Sequence, residues 1–194
     1  MGSLNRLERW LAAAPVPTVA EPQAGGQRPV LRLLVVGCGE AKRSSRAAAQ
    51  DLYTGPLTRD AIGYAQASGQ IWGIVSGKHG LLWPEFEIDP YNKRIPRQGD
   101  ELRGWTDSFG SSLCVWVDAV LGWVPRIREG GRYGELPARI VLEVHAGAEY
   151  VRALEGRWWG VEAPLRGLSM LQRRRWYREQ RDAGSAQTSL FGGS

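Results

Sequence analysis

A single buried-strand pattern constrains the fold of this chain more than any other feature. Residues 30–36 are aliphatic apart from Arg32, without the polar alternation of a strand that has one solvent-exposed face. Such a run is typical of a central strand in a parallel sheet. The run ends in a glycine-flanked polar turn, Gly37-Cys38-Gly39-Glu40-Ala41-Lys42. Because glycine lets a backbone turn sharply and approach a ligand, this turn is either a ligand-binding loop, charged by Lys42, or a tight connection with a buried cysteine.

Strand and helix patterns alternate along the rest of the chain. Strands are predicted at residues 31–36, 70–76, 138–145 and 159–162, a loop at 77–99, and helices at 100–124, at 165–181 and from Pro56 and Ala146 onwards. Strands separated by helices imply right-handed crossovers and a parallel sheet covered on both faces. We therefore expect an α/β fold, a single three-layer domain with a small, mainly parallel sheet and a ligand site at the carboxyl ends of its strands.

Composition predicts where the domain begins and ends. The 194 residues, of which 43% are hydrophobic, suit one core with flanking segments. Residues 1–29 are predicted to form a short amphipathic helix and a linker rich in proline, alanine and glycine. The α/β domain is expected at residues 30–182, and the small polar residues 183–194 are expected to be a disordered tail.

Cysteine usage and hydropathy predict the compartment. The sequence has no apolar run long enough to cross a bilayer and no signal-peptide pattern. Its two cysteines, Cys38 and Cys114, are too few for a disulfide framework and lack the pairing of metal ligands. We expect a cytoplasmic protein that is not bound to a membrane and that has no metal and no cofactor.

Three of the predicted strands end in polar or charged residues. They are Cys38, Glu40 and Lys42, then Ser76, Lys78 and His79, and finally Glu143 and His145. Because carboxyl ends of parallel strands share one edge of a sheet, we expect Glu40, Lys42, Lys78, His79 and His145 to converge on one pocket. The two histidines, the only ones in the chain, suit acid–base work near neutral pH, or each simply orders its own loop through hydrogen bonds.

Two further segments favour contacts with nucleic acid. The loop that begins at Ser76 carries Trp83, Phe86 and Tyr91 beside acidic residues that include Asp89, which indicates either a pocket for a planar ring or a small apolar core. The net charge of +5 is concentrated in Arg173-Arg174-Arg175-Trp176-Tyr177-Arg178. Arginines with interleaved aromatics suit phosphate binding and base stacking, or else the solvated end of a helix.

Several of these segments together resemble a known family. They are residues 35–42, 51–57, 76–82, 89–91, 146–150 and 164–168. Their order resembles an uncharacterised family of bacterial and phage proteins, marked by a Cys-x-x-x-Lys turn and a Ser-x-Lys-His-Gly-Leu loop. That family is similar to the uracil-DNA-glycosylase-like domain associated with archaeosine synthase, and more remotely to uracil-DNA glycosylases.

The resemblance implies a uracil-DNA-glycosylase-like fold and an N-glycosidase that removes or exchanges a modified or damaged base, in DNA repair or phage defence. The turn at residues 37–42 corresponds to the turn that positions water in the glycosylases. It lacks their Asp-Pro-Tyr, and Glu40 is its only acid. His145 matches the histidine that stabilises the departing base, although Pro-Ser does not follow it. Glycosyl cleavage needs a placed water and stabilisation of the departing base. We expect Glu40 to orient the water, His145 and Lys78 to stabilise the base, and Tyr91 to stack on it.

The predicted site residues fall into three groups. The catalytic candidates are Glu40, Lys78, His79 and His145; the substrate contacts are Gly37, Cys38, Gly39, Lys42, Tyr53, Ser76, Asp89, Tyr91 and Tyr150; the nucleic-acid contacts are Arg173, Arg174, Arg175 and Trp176. Two alternatives remain open, a non-catalytic DNA-binding module and an enzyme that acts on free nucleosides or nucleotides. The N-glycosidase and the DNA-binding module would both have DNA or RNA as their partner, whereas the nucleoside enzyme would not.

The tail carries a separate signal. Gln187-Thr188-Ser189-Leu190-Phe191 resembles the pentapeptide by which bacterial polymerases and repair proteins dock on the sliding clamp, with threonine where leucine is usual. An extended peptide of this kind buries Leu190 and Phe191 in an apolar cleft while Gln187 makes directed hydrogen bonds. The tail is therefore either a clamp-docking segment or a solubilising end without a partner.

Overall fold

Strands and helices alternate through both parts of the chain that the structure describes. The computed structural model describes residues 30–121 and 139–191, with side chains up to residue 117 in the first range and up to 182 in the second. The strands are β1 (Val30–Gly37), β2 (Ala47–Ala48), β3 (Trp72–Ser76), β4 (Gly80–Leu82), β5 (Glu87–Ile88), β6 (Arg139–His145) and β7 (Gly160–Glu162). The helices are α1 (Ala49–Leu52), α2 (Pro56–Ala67), α3 (Gly99–Leu121), α4 (Ala148–Leu154) and α5 (Met170–Phe191).

The central sheet has β1 in its middle. Its strand order is β4-β3-β1-β6-β7. Every neighbouring pair is parallel except β3 and β4, which form an antiparallel hairpin. A separate two-stranded antiparallel pair joins β2 to β5. The prediction of an α/β fold with a small, mainly parallel sheet is confirmed.

Two hydrophobic cores lie on opposite faces of this sheet. Leu33 and Val35 belong to one core, together with side chains of α3 and α4. Leu34 and Val36 belong to the other, together with side chains of α2 and α5. All four side chains are at most 1% exposed, as a strand covered by helices on both faces requires.

The predicted loop at residues 77–99 is wrong in part, because it contains β4 and β5. A strand of three residues is too short for periodicity to reveal. The turn into β4 depends on Gly80, whose φ of 68° is the left-handed conformation that glycine favours in short hairpins. The hydroxyl of Ser76 holds the same turn by accepting the backbone N–H groups of Lys78 and His79.

The last helix begins later and ends later than predicted. Ser169 and Gln172 form a reciprocal cap, in which the Ser169 N–H donates to the Gln172 carboxamide and the Gln172 N–H donates to the Ser169 hydroxyl. This cap explains why α5 starts at Met170 rather than at residue 165. The backbone stays helical to Phe191, so residues 183–191, expected to be disordered, form the last turns of α5. The predicted helix and linker at residues 1–29 lie outside the described residues.

Packing around β3 generates a stability prediction. A methyl group at Gly73 would lie 2.4 Å from an indole carbon of Trp116 and 3.0 Å from the carbonyl oxygen of Leu82. Gly73→Ala should therefore lower the free energy of unfolding by about 1–3 kcal/mol. Gly160→Ala is the matched change, since its methyl would meet nothing closer than 3.5 Å. Equal urea midpoints for the two variants would contradict the packing described.

Candidate functional site

The phenol of Tyr91 joins three separate segments of the chain. Its oxygen lies 2.8 Å from the hydroxyl of Tyr53, which follows α1, and 2.6 Å from the hydroxyl of Ser76, which ends β3. Both lone pairs of the Ser76 oxygen accept backbone N–H groups, so the Ser76 proton is donated to Tyr91. Tyr91 is thus held by its polar end at the carboxyl edge of the sheet.

A thiol and a third phenol extend this network. The sulfur of Cys38, which follows β1, lies 3.2 Å from the hydroxyl of Tyr150 in α4. Burial raises the pKa of Tyr91 to about 12, and the Cys38 thiol adds to the rise, whereas the hydrogen bonds from Ser76 and Tyr53 oppose it. Burial also raises the pKa values of Tyr53 and Tyr150 well above the usual range. All three phenols therefore keep their protons at neutral pH.

Two lysines lie close to the rings of this network. The ammonium nitrogen of Lys42 is 4.6 Å from the ring centre of Tyr91 and 5.6 Å from that of Tyr53, and that of Lys78 is 5.6 Å from the Tyr91 ring. Lys42 also donates to the carbonyl oxygens of Gly39 and Glu40, at 3.0 and 3.2 Å. Within the described residues neither lysine has a carboxylate partner. The Tyr91 ring lies near both charges and the carbonyls hold Lys42, but none of these groups neutralises them, and Lys78 is otherwise exposed.

His79 presents an unused ring nitrogen beside the lysines. Its ring packs edge-on against Tyr91 at 5.1 Å. Its Nε2 atom is buried and has no hydrogen-bond partner among the residues the structure describes. Burial, and then the charge of Lys78, lower the pKa of His79, so the ring is neutral at pH 7. A buried polar atom without a partner is costly unless a ligand or water satisfies it.

These residues are called the Tyr91 site below. They are Cys38, Lys42, Tyr53, Ser76, Lys78, His79, Tyr91 and Tyr150. All eight were expected at one site from the sequence, and the structure brings them together.

Packing within the protein gives the two glycines of the first turn their role. A methyl group at Gly37 would lie 2.9 Å from the Cβ atom of Ala146, and one at Gly39 would lie 2.5 Å from the hydroxyl of Thr58. Close packing is therefore one reason for glycine at both positions, and their contact with a ligand stays a prediction. The two glycines let the turn after β1 pack against β6 and α2.

His145 belongs to a different group of contacts. Its Nε2 lies 2.7 Å from the carboxylate of Glu143, its Nδ1 lies 3.2 Å from the hydroxyl of Tyr177, and its ring stacks on Tyr64 at 5.3 Å. The residue is 4% exposed. Both ring nitrogens of His145 have partners outside the Tyr91 site. The catalytic role predicted for His145 stays a prediction.

The two candidate carboxylates point to arginines at the surface. Glu40 is exposed and lies 3.5 Å from the guanidinium of Arg94. Asp89 is exposed and lies 3.6 Å from that of Arg46. Neither carboxylate pairs with Lys42 or Lys78, so the predicted convergence holds for the lysines and His79, while Glu40 and His145 have other partners.

The arginines at the start of α5 have partners inside the protein. Arg173 donates to the carbonyl oxygens of Leu168 and Ala146, at 2.9 and 3.0 Å. Arg174 pairs with Asp60 at 2.7 Å, and Arg175 pairs with Glu179 at 2.6 Å. Trp176 packs against Tyr64, with ring centres 5.1 Å apart. Arg174 and Arg175 therefore pair with carboxylates of the protein, whereas carbonyl oxygens orient Arg173 without neutralising its charge. Phosphate binding by this cluster stays a prediction.

Sequence reasoning missed a second basic segment, which lies next to the Tyr91 site. A methyl at Gly77 would lie 2.6–2.8 Å from the backbone of residues 93–95, so this loop packs directly on the turn that carries Lys78. The loop carries Lys93, Arg94 and Arg97, all exposed. The sequence did contain a signal for this basic segment, since residues 92–98 have three cationic side chains and no acidic one.

The part of the chain that the structure describes has neither a group of metal-binding side chains nor a membrane-spanning helix. Across residues 30–121 and 139–191, no three His, Cys, Asp or Glu side chains form a group able to hold a metal ion. Within the same ranges, no helix has the length and hydropathy needed to cross a membrane.

The charge of Lys78 should be measurable through His79. Lys78→Met removes a positive charge from beside the ring, so the pKa of His79 should rise toward its usual value. The measurement is a ring-proton titration by NMR, with His79→Asn to assign the signal. Lys93→Met, an exposed lysine of the adjacent loop, should leave the titration unchanged. A Lys78→Met curve identical to that of the native protein would show that the two side chains are not neighbours.

The buried phenols predict a loss of stability in alkali. Unfolded tyrosines release their protons near pH 10, whereas Tyr53 keeps its proton in the folded protein, so the folded state binds more protons and stability falls as pH rises above about 10. Tyr53→Phe should reduce this fall by up to about 1.4 kcal/mol per pH unit. Urea unfolding from pH 8 upward tests this. Below about pH 9 the two curves should run parallel, and parallel curves throughout would contradict the buried phenol.

One comparison with known proteins places the chain in a family. The family model described as "Family of unknown function (DUF6884)" matches residues 33–179. No curated protein matches the chain significantly. The matched segment contains the whole Tyr91 site and extends from β1 into α5. The chain belongs to this family of unknown function, DUF6884.

Proposed function

We propose that the protein is an N-glycosidase that acts on nucleic acid and removes or exchanges a modified or damaged base at the Tyr91 site. One observation carries the proposal. Lys42 and Lys78 are held at the Tyr91 ring without counter-charges, beside a neutral His79 whose Nε2 has no described partner. Such a site is prepared for a ligand that carries or develops negative charge.

Cleavage of a glycosidic bond requires this kind of charge. When the bond between the base nitrogen and the sugar breaks, its electron pair stays on the base, while a positive charge develops on the sugar. The ammonium groups of Lys42 and Lys78 stabilise the departing base, and the His79 ring forms a hydrogen bond with its edge. Water adds to the sugar carbon and its proton passes to the base or to solvent. Tyr91 orients the two cations rather than stacking on the base.

Glu40 is the proposed residue for orienting the water. It lies in the same turn as Lys42, and the Lys42 ammonium donates to its carbonyl oxygen. Its carboxylate is exposed and paired with Arg94 at 3.5 Å, so a substrate phosphate that attracts Arg94 would release it. His145 is not given a catalytic role in this proposal.

The basic loop supports a polymeric substrate. Lys93, Arg94 and Arg97 are exposed on the loop that packs against Gly77. Several cations beside a small cationic site favour a polyanion over a free nucleoside, because each phosphate neutralised releases counterions. A uracil-DNA-glycosylase-like fold is part of the same proposal, and the mainly parallel sheet with its candidate site after β1 and β3 supports it.

Base release tests the chemistry. We expect free base and an abasic site, detected by mass spectrometry, from at least one DNA or RNA oligonucleotide in a panel of damaged and modified bases. Lys78→Met should lower the rate by about 100-fold or more. Arg178→Gln, an exposed change in α5, should not change it. Binding without release from any substrate would instead favour the non-catalytic DNA-binding module, and release from free nucleosides alone would favour a nucleoside enzyme.

Salt dependence tests the basic loop separately. In the double variant Lys93→Gln, Arg97→Gln, the log–log slope of duplex binding against salt should become shallower by about 0.9 for each phosphate that the loop no longer neutralises. The matched double variant Arg139→Gln, Arg178→Gln removes the same charge from exposed positions in β6 and α5. Equal slopes for the two double variants would exclude the loop as the segment that binds phosphate.

Recruitment to the sliding clamp through Gln187, Leu190 and Phe191 stays a prediction. The backbone of these residues is helical in the structure, whereas docking peptides of this type bind in extended form. Clamp binding therefore requires the last turns of α5 to unwind.

A further inference from the structure

A cavity of about 260 Å³ lies at the carboxyl ends of β6 and β7, and none of the residues of the Tyr91 site lines it. Its walls are mostly apolar and include Val144, Val151 and Leu165. Three arginines, Arg152, Arg166 and Arg173, complete the lining, and no Asp or Glu is among the described residues that form it. An ordinary packing void is lined by apolar side chains alone, whereas this cavity also has three guanidinium groups and no carboxylate in its described lining.

Arg173 is the fixed charge of this cavity. Its side chain is half-buried and is held by two carbonyl oxygens, those of Leu168 and Ala146. A guanidinium has five N–H groups, so these two bonds leave others available. The carbonyls orient the charge but do not neutralise it, and a partly buried cation without a counter-charge is costly. The carboxylate of Asp60 is engaged by Arg174, and that of Glu143 by His145.

The other two arginines differ in whether a carboxylate of the protein already neutralises them. Arg166 pairs with Glu155 and is largely neutralised. Arg152 is exposed on α4 and has no hydrogen-bond or ion-pair partner in the described part of the chain. Arg152 and Arg173 therefore supply two uncompensated positive charges to one cavity.

We infer that this cavity binds a small organic anion, an acidic group joined to a compact apolar body. The acidic group, a carboxylate or a phosphate monoester, pairs with Arg173 and Arg152, and the body contacts Val144, Val151 and Leu165. The volume is below the about 300–1,000 Å³ of pockets for drug-sized ligands, which fits a body of about one ring. This inference is independent of the proposed function, since it uses none of the residues of the Tyr91 site.

Calorimetric titration of the full chain tests it, with phenyl phosphate and benzoate as probes and with inorganic phosphate and benzyl alcohol as controls. Phenyl phosphate or benzoate should bind, and whichever binds more tightly identifies the acidic group. Inorganic phosphate should bind more weakly because it lacks the apolar body, and benzyl alcohol should not bind. The inference would be overturned if neither organic anion bound at millimolar concentration, or if benzyl alcohol bound as tightly as the organic anions.

Two variants locate the binding. Arg152→Gln should raise the dissociation constant by about 10- to 100-fold, whereas Arg178→Gln, an equal loss of charge in α5, should leave it unchanged. Ala163→Leu keeps all three arginines but places a larger side chain in the cavity, and it should abolish binding of the organic anion. Unchanged affinity in both Arg152→Gln and Ala163→Leu, with native circular dichroism spectra, would overturn the inference.

Discussion

The burial of β1 on both faces is the constraint on which the rest of the structure depends. Its alternate side chains enter two cores, so helices must cover both faces, and its neighbours must be parallel strands that return through those helices. Its pairing sets Gly37 beside Val75 and Val36 beside His145. The N–H of Cys38 then donates to the carbonyl of Val75 at 2.9 Å, which places the turn after β1 next to the turn after β3. The Tyr91 site forms where these two turns meet.

The cations of the Tyr91 site are held by groups other than carboxylates. Arg32 pairs with Glu162, and Arg174 pairs with Asp60, as surface and half-buried arginines commonly do. Lys42 has two aromatic rings and two carbonyls in the place of a carboxylate, Lys78 has the Tyr91 ring, and Arg173 has carbonyls alone. For the half-buried Lys42 and Arg173, holding a charge in position without neutralising it costs folding free energy and leaves the charge to a ligand. The two proposed sites rest on this same physical argument.

Part of the site was predictable because strand ends are predictable. An aliphatic run followed by a polar turn located Cys38 and Lys42, and the next run located Ser76 and His79, so their shared edge followed from parallel pairing. The pairing of His145 with Glu143, two residues earlier on the same strand face, was also available from the sequence. Long-range partners were not, because Arg174 and Asp60 are 114 positions apart and no local pattern connects them. The β4 strand was not predicted, because three residues are too few to show the two-residue periodicity of a strand.

The chain has only two histidines, and this allows one direct test of where nucleic acid acts. The measurement is an NMR titration of the histidine ring signals with a short oligonucleotide that contains a modified base. We expect the His79 signals to shift as the complex forms, because its Nε2 gains a partner. The signals of His145, whose ring nitrogens lie within hydrogen-bond distance of Glu143 and Tyr177, should stay in place. Shifts confined to His145, or binding that leaves both histidines unchanged, would contradict the assignment of the Tyr91 site.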